Sequence, residues 1–198
     1  MTDELAPLTH YLCEAIDATA ANLERISQDI ETAGALIIQT LLSDRKIIVC
    51  GNGLSCAIGS ILCSSLINQQ EFDRPSLPAI NLSPDPTNLL AISKNHNPHQ
   101  VFSHQINALG HEGDTLITLS VDGNCSNIIQ AIQAAHEKNV HVINITGTKT
   151  GKLSAILQAE DIDIKIESDS VARVLEIQLL ICNSLCHHIE SLLFGCNT

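Results

Sequence analysis

Aromatic side chains are nearly absent from this sequence, which has no Trp, one Tyr and three Phe in 198 residues. Hydrophobic residues still make up 44% of the chain, so its core has to be built from aliphatic side chains. A chain of this length buries about 70% of its unfolded surface on folding. Cores of Ile, Leu, Val and Ala are usual in layered α/β proteins. The composition therefore predicts one α/β domain, or one such domain with an extension.

Positive charge is also scarce. Ten Lys and Arg stand against 22 Asp and Glu, which gives a net charge of −12. This balance repels nucleic acid and supplies no basic cluster to bind phosphates along a duplex. We therefore expect no direct contact with nucleic acid, and we attribute the acidity to ordinary surface charge that favours solubility.

Long apolar runs are missing as well. Nowhere do eighteen apolar residues follow one another, and the acidic N-terminus, with Asp3 and Glu4, has neither a basic start nor an apolar leader. A membrane-spanning helix requires the long apolar run, and a secretory signal requires the basic start and the apolar leader. The sequence therefore predicts a cytoplasmic protein that does not enter a membrane.

Paired cysteine motifs are lacking although the chain has eight cysteines, at positions 13, 50, 56, 63, 125, 182, 186 and 196. None forms a CxxC pair, and most lie in apolar runs, where a free Cys behaves as a small hydrophobic residue. Metal ligation is the alternative for Cys182 and Cys186, and for the histidines at 96, 99 and 104. Neither spacing is a recognised ligand pattern, so we predict free thiols and no metal or other cofactor.

The common fingerprints GxGxxG, GxxxxGK[ST], HExxH and GxSxG do not occur. What does occur is an apolar run, Ile47 to Cys50, followed by Gly51-Asn52-Gly53-Leu54-Ser55 and a mostly small or apolar segment. This order predicts a strand, a tight turn and a buried helix. Backbone N–H groups at such a turn favour a phosphate or another anion. The alternative is that the glycines only let the strand and the helix pack closely.

Strand-like and helical segments alternate from residue 45 onward. The pattern predicts strands at 46–50, 78–82, 115–120, 140–145 and 161–166, and helices at 55–69, 86–94, 99–110, 125–138, 152–158 and 169–194. Strands separated by helices indicate a parallel sheet covered on both faces. Ligands of such sheets bind at the carboxyl ends of the strands, where the glycine turn is expected.

Residues 2–43 carry apolar side chains at helical spacing and predict one or two amphipathic helices. Such an arm precedes the first strand and has to bury its apolar face on a partner subunit or by folding back. We favour a subunit interface. The chain is therefore divided into an N-terminal helical extension for oligomerisation, 1–44, and an α/β domain, 45–198.

Several motifs occur together in order: Cys50 to Ser55, Arg74 to Ile80, Gly113-Asp114, Ser120 to Asn124, Val142 to Gly147 and Arg173 to Ile177. Together they resemble a SIS (sugar isomerase) domain of the phosphoheptose isomerase family. Within that family, Leu66 to Asn68, Ala108 to His111, Ser170 to Arg173 and Leu193-Phe194 resemble the branch of DnaA initiator-associating proteins (DiaA). The resemblance implies a three-layer α/β/α sandwich with a five-stranded parallel sheet. It also implies a homodimer or homotetramer with a phosphosugar site between subunits.

The resemblance also indicates which positions carry the family's chemistry. A glutamate and a histidine move protons in the isomerase, and a further histidine helps to bind zinc. The matching positions here hold Ser65, Gln178 and Ile61. Serine and glutamine are not general bases near neutral pH, and isoleucine does not ligate metals. We therefore expect no catalytic residues.

The phosphosugar-binding positions implied by the resemblance are only partly kept. They are Gly51, Asn52, Gly53, Ser55, Ser120, Asp122, Gly123, Asn124 and Cys125. The family places hydroxyl groups where Asp122 and Cys125 stand. A carboxylate about 5 Å from a phosphate costs about 3 kcal/mol per unit of phosphate charge at an effective dielectric constant of about 20. The alternative for Asp122 is to cap the helix expected to begin near residue 124.

Three functions follow from this sequence. The first is a non-catalytic SIS homo-oligomer that binds the DnaA initiator, with Leu193 and Phe194 as a partner-binding patch repeated by symmetry. The second is D-sedoheptulose 7-phosphate isomerase, which feeds heptose into lipopolysaccharide. The third is a sensor that binds a sugar phosphate without turnover. Arg173 and Glu176 are interpreted as a local ion pair.

Overall fold

The computed structural model describes residues 6–70, 73–148 and 151–195. At its centre lies a five-stranded sheet with the strand order β2-β1-β3-β4-β5. All neighbouring strands run parallel. The strands are β1 (Ile47–Gly51), β2 (Ala79–Asn81), β3 (Thr115–Ser120), β4 (His141–Gly147) and β5 (Ile162–Ile166). The predicted parallel sheet of five strands is confirmed.

The described residues contain six α-helices, which cover the sheet: α1 (Ala6–Leu42), α2 (Leu54–Ile67), α3 (Pro86–Asn95), α4 (Val101–Leu109), α5 (Ser126–Glu137) and α6 (Val171–Phe194). Two predicted helices were wrong in part. Residues 99–110 were expected to form one helix, but a 3-10 turn at Pro98–Gln100 precedes α4. The Asn97 side chain accepts a hydrogen bond from the His99 backbone N–H and begins that turn. Residues 152–158 form only the 3-10 turn Lys152–Ala155.

Two hydrophobic layers hold the helices to the sheet, because successive strand residues point to opposite faces. Val49 and Ile117 face α1, α2 and α6. Ile48 and Leu116 face α3, α4 and α5. The result is the predicted three-layer arrangement of helices, sheet and helices.

The long helix α1 has two different halves. Its second half contributes Ile26, Ile30 and Ile37 to the same core as α6 and the sheet. Asn22 marks the boundary, since its side chain bonds both the N–H and the C=O of Glu167, directly after β5. Residues 6–21 precede this contact and form about 24 Å of helix, at about 1.5 Å per residue, most of which lies beyond the carboxyl edge of the sheet. A domain boundary at residue 44 remains a prediction, although α1 shares this core.

Helix α6 is long and apolar enough, by length and composition, to cross a membrane. Core helices of soluble proteins meet the same criterion. Here Ile177, Ile181 and Leu185 lie fully buried in the core shared with α1 and α2. The apolar character of α6 is thus explained by its packing within the domain.

Candidate functional site

The glycine turn connects β1 to α2 at the carboxyl edge of the sheet. The Gly51 N–H donates to the Ser83 hydroxyl over 2.9 Å, and the Asn52 N–H donates to the Leu119 carbonyl over 3.3 Å. A Cβ atom on Gly51 would lie only 3.0 Å from the backbone of Ser55 and 3.1 Å from the Leu119 carbonyl. Gly51 is therefore required for close packing of the strand and the helix, as the alternative interpretation of the turn expected.

Replacing Gly51 by alanine should accordingly destabilise the fold. The contacts of the new Cβ atom are with backbone, which cannot rotate away, so we expect a loss of about 1–3 kcal/mol in the free energy of unfolding. Urea denaturation of the Gly51→Ala variant measures it. Leu54→Ala is the control in the same turn, because Leu54 is 70% exposed and should change stability by less than about 0.5 kcal/mol. Equal effects of the two changes would contradict the packing role of Gly51.

The second loop, after β3, is held by Asp122. One oxygen of its carboxylate accepts the Asn124 N–H over 3.0 Å and contacts the Cys125 Sγ at 3.6 Å. This is a local turn that precedes α5. The capping role foreseen as the alternative for Asp122 is wrong, because α5 begins at Ser126 and none of its N-terminal N–H groups donates a hydrogen bond to the Asp122 carboxylate. Burial raises the pKa of the Cys125 thiol; a hydrogen bond with Asn52 lowers it, and the Asp122 carboxylate raises it again.

Gln178, on α6, lies under both loops and is fully buried. Its side-chain oxygen accepts the Ser55 hydroxyl over 2.8 Å. Its nitrogen donates to the backbone carbonyls of Ser120, over 2.7 Å, and Ile145, over 3.3 Å. One side chain thus ties the beginning of α2 to the carboxyl ends of β3 and β4.

The two serines predicted to bind phosphate are both fully buried. Ser55 donates its hydroxyl to Gln178, and Ser120 donates its hydroxyl to the Asp122 carbonyl over 2.8 Å. Ser120 also lies 3.2 Å from the Thr146 hydroxyl. Both hydroxyl groups are therefore engaged inside the protein.

A cleft of about 420 Å³ opens beside the glycine turn, between α3, α4 and the start of α5. It includes Gly51, Asn52 and Gly53 of the predicted site, together with Ser83, Ser93 and Asn127, which the sequence analysis missed. Ser83 lies just after β2, so its position at the carboxyl end of a strand was a usable signal. The other predicted residues do not line this cleft; they are Ser55, Ser120, Asp122, Gly123, Asn124 and Cys125.

Asn52 and Asn127 close one wall of the cleft through a reciprocal pair of hydrogen bonds. The Asn52 amide donates to Asn127 over 2.8 Å, and the Asn127 amide donates back over 2.7 Å. All the described residues that line the cleft have uncharged side chains. The cleft is thus polar without being cationic.

Ser65, the other position at which the resemblance implies a catalytic residue, lies elsewhere in the chain. It follows Ser55 by ten residues on α2, which places it about 15 Å further along the helix. Its carbonyl accepts a hydrogen bond from Arg74, close to the amino edge of the sheet. Ile61, at the position where the resemblance implies a zinc ligand, is 44% exposed. A single chain therefore does not bring Ser65 and Gln178 together.

The remaining candidates are also placed by the structure. His96 and His104 stack with ring centroids 4.3 Å apart, and no group of three or more potential metal ligands occurs within 6–70, 73–148 and 151–195. Cys182 and Cys186 are buried, and burial raises the pKa of Cys186 to about 12. Cys196 lies outside the described residues.

The C-terminal patch and Arg173 lie at opposite ends of α6. Leu193 packs partly on the core, and Phe194 is 38% exposed with its ring 6.0 Å from the Arg74 guanidinium. Arg173 lies 3.1 Å from Glu176 and under the ring of Tyr11. The predicted local ion pair of Arg173 with Glu176 is present.

Known proteins match this chain over most of its length. A SIS domain profile matches residues 10–147. The chain is 40% identical over 193 residues to the phosphoheptose isomerase of Halorhodospira halophila, covering 98% of this chain and 96% of that protein. It is 40% identical over 181 residues to that of Chromohalobacter salexigens, covering 91% and 92%. The solved phosphoheptose isomerase from Francisella tularensis superposes with a TM-score of 0.91 at 32% identity, covering 95% of this chain and 98% of that one. The chain belongs to the phosphoheptose isomerase family of SIS-domain proteins.

Proposed function

We propose that this protein is a SIS-domain homo-oligomer that does not isomerise sugars and acts by binding another protein, as a DiaA-like regulator of replication initiation. The observation that carries the proposal is the environment of Gln178. A group that moves protons between sugar carbons needs a titratable side chain that reaches the substrate. Gln178 is not titratable, and its amide group forms hydrogen bonds with the Ser55 hydroxyl and two backbone carbonyls.

The homo-oligomer is supported by apolar surface that the chain leaves uncovered. The half of α1 that extends beyond the sheet exposes Leu8, Leu12 and Ile16 by 56%, 55% and 68%. Contiguous apolar surface of this kind marks interaction sites. We propose that a second copy, in a dimer or a tetramer, covers this half of α1. We further propose that the protein acts in the cytoplasm, because free cysteines stay reduced there.

The proposed partner is the DnaA initiator, bound through the end of α6. Leu192 and Phe194 are exposed by 59% and 38% there, and an oligomer presents several copies of the patch, which raises the avidity. We expect purified protein to bind the initiator with micromolar affinity or tighter, and Phe194→Ala to weaken binding at least about tenfold. Leu90→Ser, at a leucine of α3 that is 71% exposed, is the control. No binding at tens of micromolar would overturn the proposal.

The second candidate function is D-sedoheptulose 7-phosphate isomerase. It is favoured by the 40% identity to proteins named phosphoheptose isomerase. A coupled assay with sedoheptulose 7-phosphate separates the two functions, because we expect no turnover above the protein-free rate. Turnover that is abolished by Gln178→Ala would show that the enzyme function is the correct one.

A further inference from the structure

We infer that Asn52 is a site of spontaneous deamidation and that Asn127 is the residue that keeps this reaction slow. Asn52 and Gly53 form the only Asn-Gly sequence in the chain. Asparagine is a chemically labile residue, and a glycine after it adds no side chain that shields its backbone nitrogen. The inference does not rest on the proposed function, because it concerns the covalent stability of the glycine turn.

The reaction joins two groups that are adjacent in the turn. The Gly53 backbone nitrogen gives up its proton to water or hydroxide and attacks the side-chain carbon Cγ of Asn52. A C–N bond forms, the side-chain nitrogen leaves as ammonia, and a cyclic imide results. Water then opens the imide at one of its two carbonyl groups. The product is either aspartate or isoaspartate at position 52.

The attacking nitrogen lies in an open part of the turn. Gly53 is exposed, and its N–H donates no hydrogen bond to another part of the chain that the structure describes. Its φ is 55°, and a Cβ atom added to it would meet nothing within 4 Å apart from its chain neighbours. The turn itself therefore gives this nitrogen no protection.

The side chain that is attacked is held by Asn127, on the first turn of α5. Asn52 Nδ2 donates to Asn127 Oδ1 over 2.8 Å, and Asn127 Nδ2 donates back to Asn52 Oδ1 over 2.7 Å. Attack makes Cγ tetrahedral and moves Oδ1 and Nδ2 out of their common plane. Both hydrogen bonds are then bent or lost, and this loss raises the barrier to the reaction. Asn127 thus protects Asn52 by stabilising its planar amide.

Neither product keeps the contacts of the turn. Aspartate has no N–H, so Asn127 Oδ1 loses the Asn52 donor, and a negative charge enters a cleft whose described lining is uncharged. Isoaspartate lengthens the main chain after residue 52. The turn has little room for it, since even a Cβ atom on Gly51 would lie 3.0 Å from the Ser55 backbone. Deamidation therefore disturbs the start of α2.

The test follows deamidation of the full chain by peptide mapping with mass spectrometry, during incubation in warm, mildly alkaline buffer. In the folded protein we expect Asn52 to react at least about tenfold more slowly than in the same protein unfolded in guanidinium chloride. Asn127→Ala removes both hydrogen-bond partners and should raise the rate in the folded protein about tenfold. Ser126→Ala is the control on the same turn of α5, because Ser126 is exposed and its side chain forms no hydrogen bond with the described residues.

Asn127→Asp is the second variant. It keeps an acceptor for Asn52 and removes only the donor, and a carboxylate in the first turn of a helix is favourable. We expect a rate between those of the unchanged protein and Asn127→Ala.

A second asparagine separates this effect from general unfolding. Asn183 precedes Ser184 on α6, and its rate should rise only if a variant loosens the whole fold. The inference holds if the Asn127 variants accelerate the reaction at Asn52 and leave Asn183 unchanged. It is overturned if Asn52 reacts as fast in the folded protein as in the unfolded one, or if neither Asn127 variant changes its rate. Equal acceleration at Asn52 and Asn183 would overturn it as well.

Discussion

Replacing Gln178 by leucine is expected to lower the free energy of unfolding by about 3 kcal/mol or more. Leucine fills a similar volume but leaves the Ser55 hydroxyl without its acceptor and removes the side-chain donor of two backbone carbonyls. Each buried polar group that loses its partner costs about 1–3 kcal/mol. Because the site is fully buried, water cannot replace the lost hydrogen bonds. Urea denaturation followed by circular dichroism measures the change.

The control for this experiment is Gln133→Leu, which makes the same chemical change at an exposed position of α5. It should alter stability by less than about 0.5 kcal/mol. If Gln178→Leu were as stable as this control, Gln178 would not be the link between α2 and the strands that the hydrogen bonds indicate. Its burial would then have to be explained by packing alone.

Replacing Arg74 by methionine is expected to have an effect of similar or larger size. Arg74 and Glu190 form a fully buried ion pair in which Nε lies 2.8 Å from the carboxylate. The same guanidinium donates to the carbonyls of Ser65 and Leu66, which end α2. Removing one partner leaves a buried charge uncompensated, which costs about 3–5 kcal/mol. Chemical denaturation of Arg74→Met should show a loss of this order.

Two further variants decide the cause. Lys165→Met breaks the ion pair of Lys165 with Asp163. The Lys165 side chain is 38% exposed, so the change should lower the free energy of unfolding by less than about 1 kcal/mol. The double variant Arg74→Met with Glu190→Leu removes both charges and should regain part of the lost stability. A double variant that regains no stability over Arg74→Met would show that the lost hydrogen bonds to α2, and not the uncompensated charge of Glu190, account for the effect.

Local sequence patterns were sufficient to locate most of the secondary structure. The apolar run before Gly51 and the small residues after it give a strand and a helix whatever surrounds them, because side-chain period and β-branching act locally. The ends of segments were less predictable. Pro98 allowed a helix from residue 99, but the Asn97 cap begins a separate 3-10 turn at Pro98–Gln100.

Partners distant in sequence were not predictable in the same way. Gln178 follows Ser55 by 123 residues, and Glu190 follows Arg74 by 116 residues. Nothing in the local pattern shows that these side chains meet, because their meeting depends on how α6 crosses α2. The motif from Arg74 to Pro78 could be recognised in the sequence, but the ion pair of its arginine with Glu190 could not be predicted.

The glycine turn shows both sides of this division. The sequence by itself determined a parallel α/β fold, a turn at the carboxyl edge of β1 and the family of the chain, because these depend on local propensity and on residue order. Only the tertiary structure decided that Ser55 and Ser120 face inward, that Asp122 occupies the approach to α5, and that Asn127 and Ser83 form the cleft. These features depend on the direction of individual side chains, which is set when the buried polar groups of α6 and the loops satisfy one another.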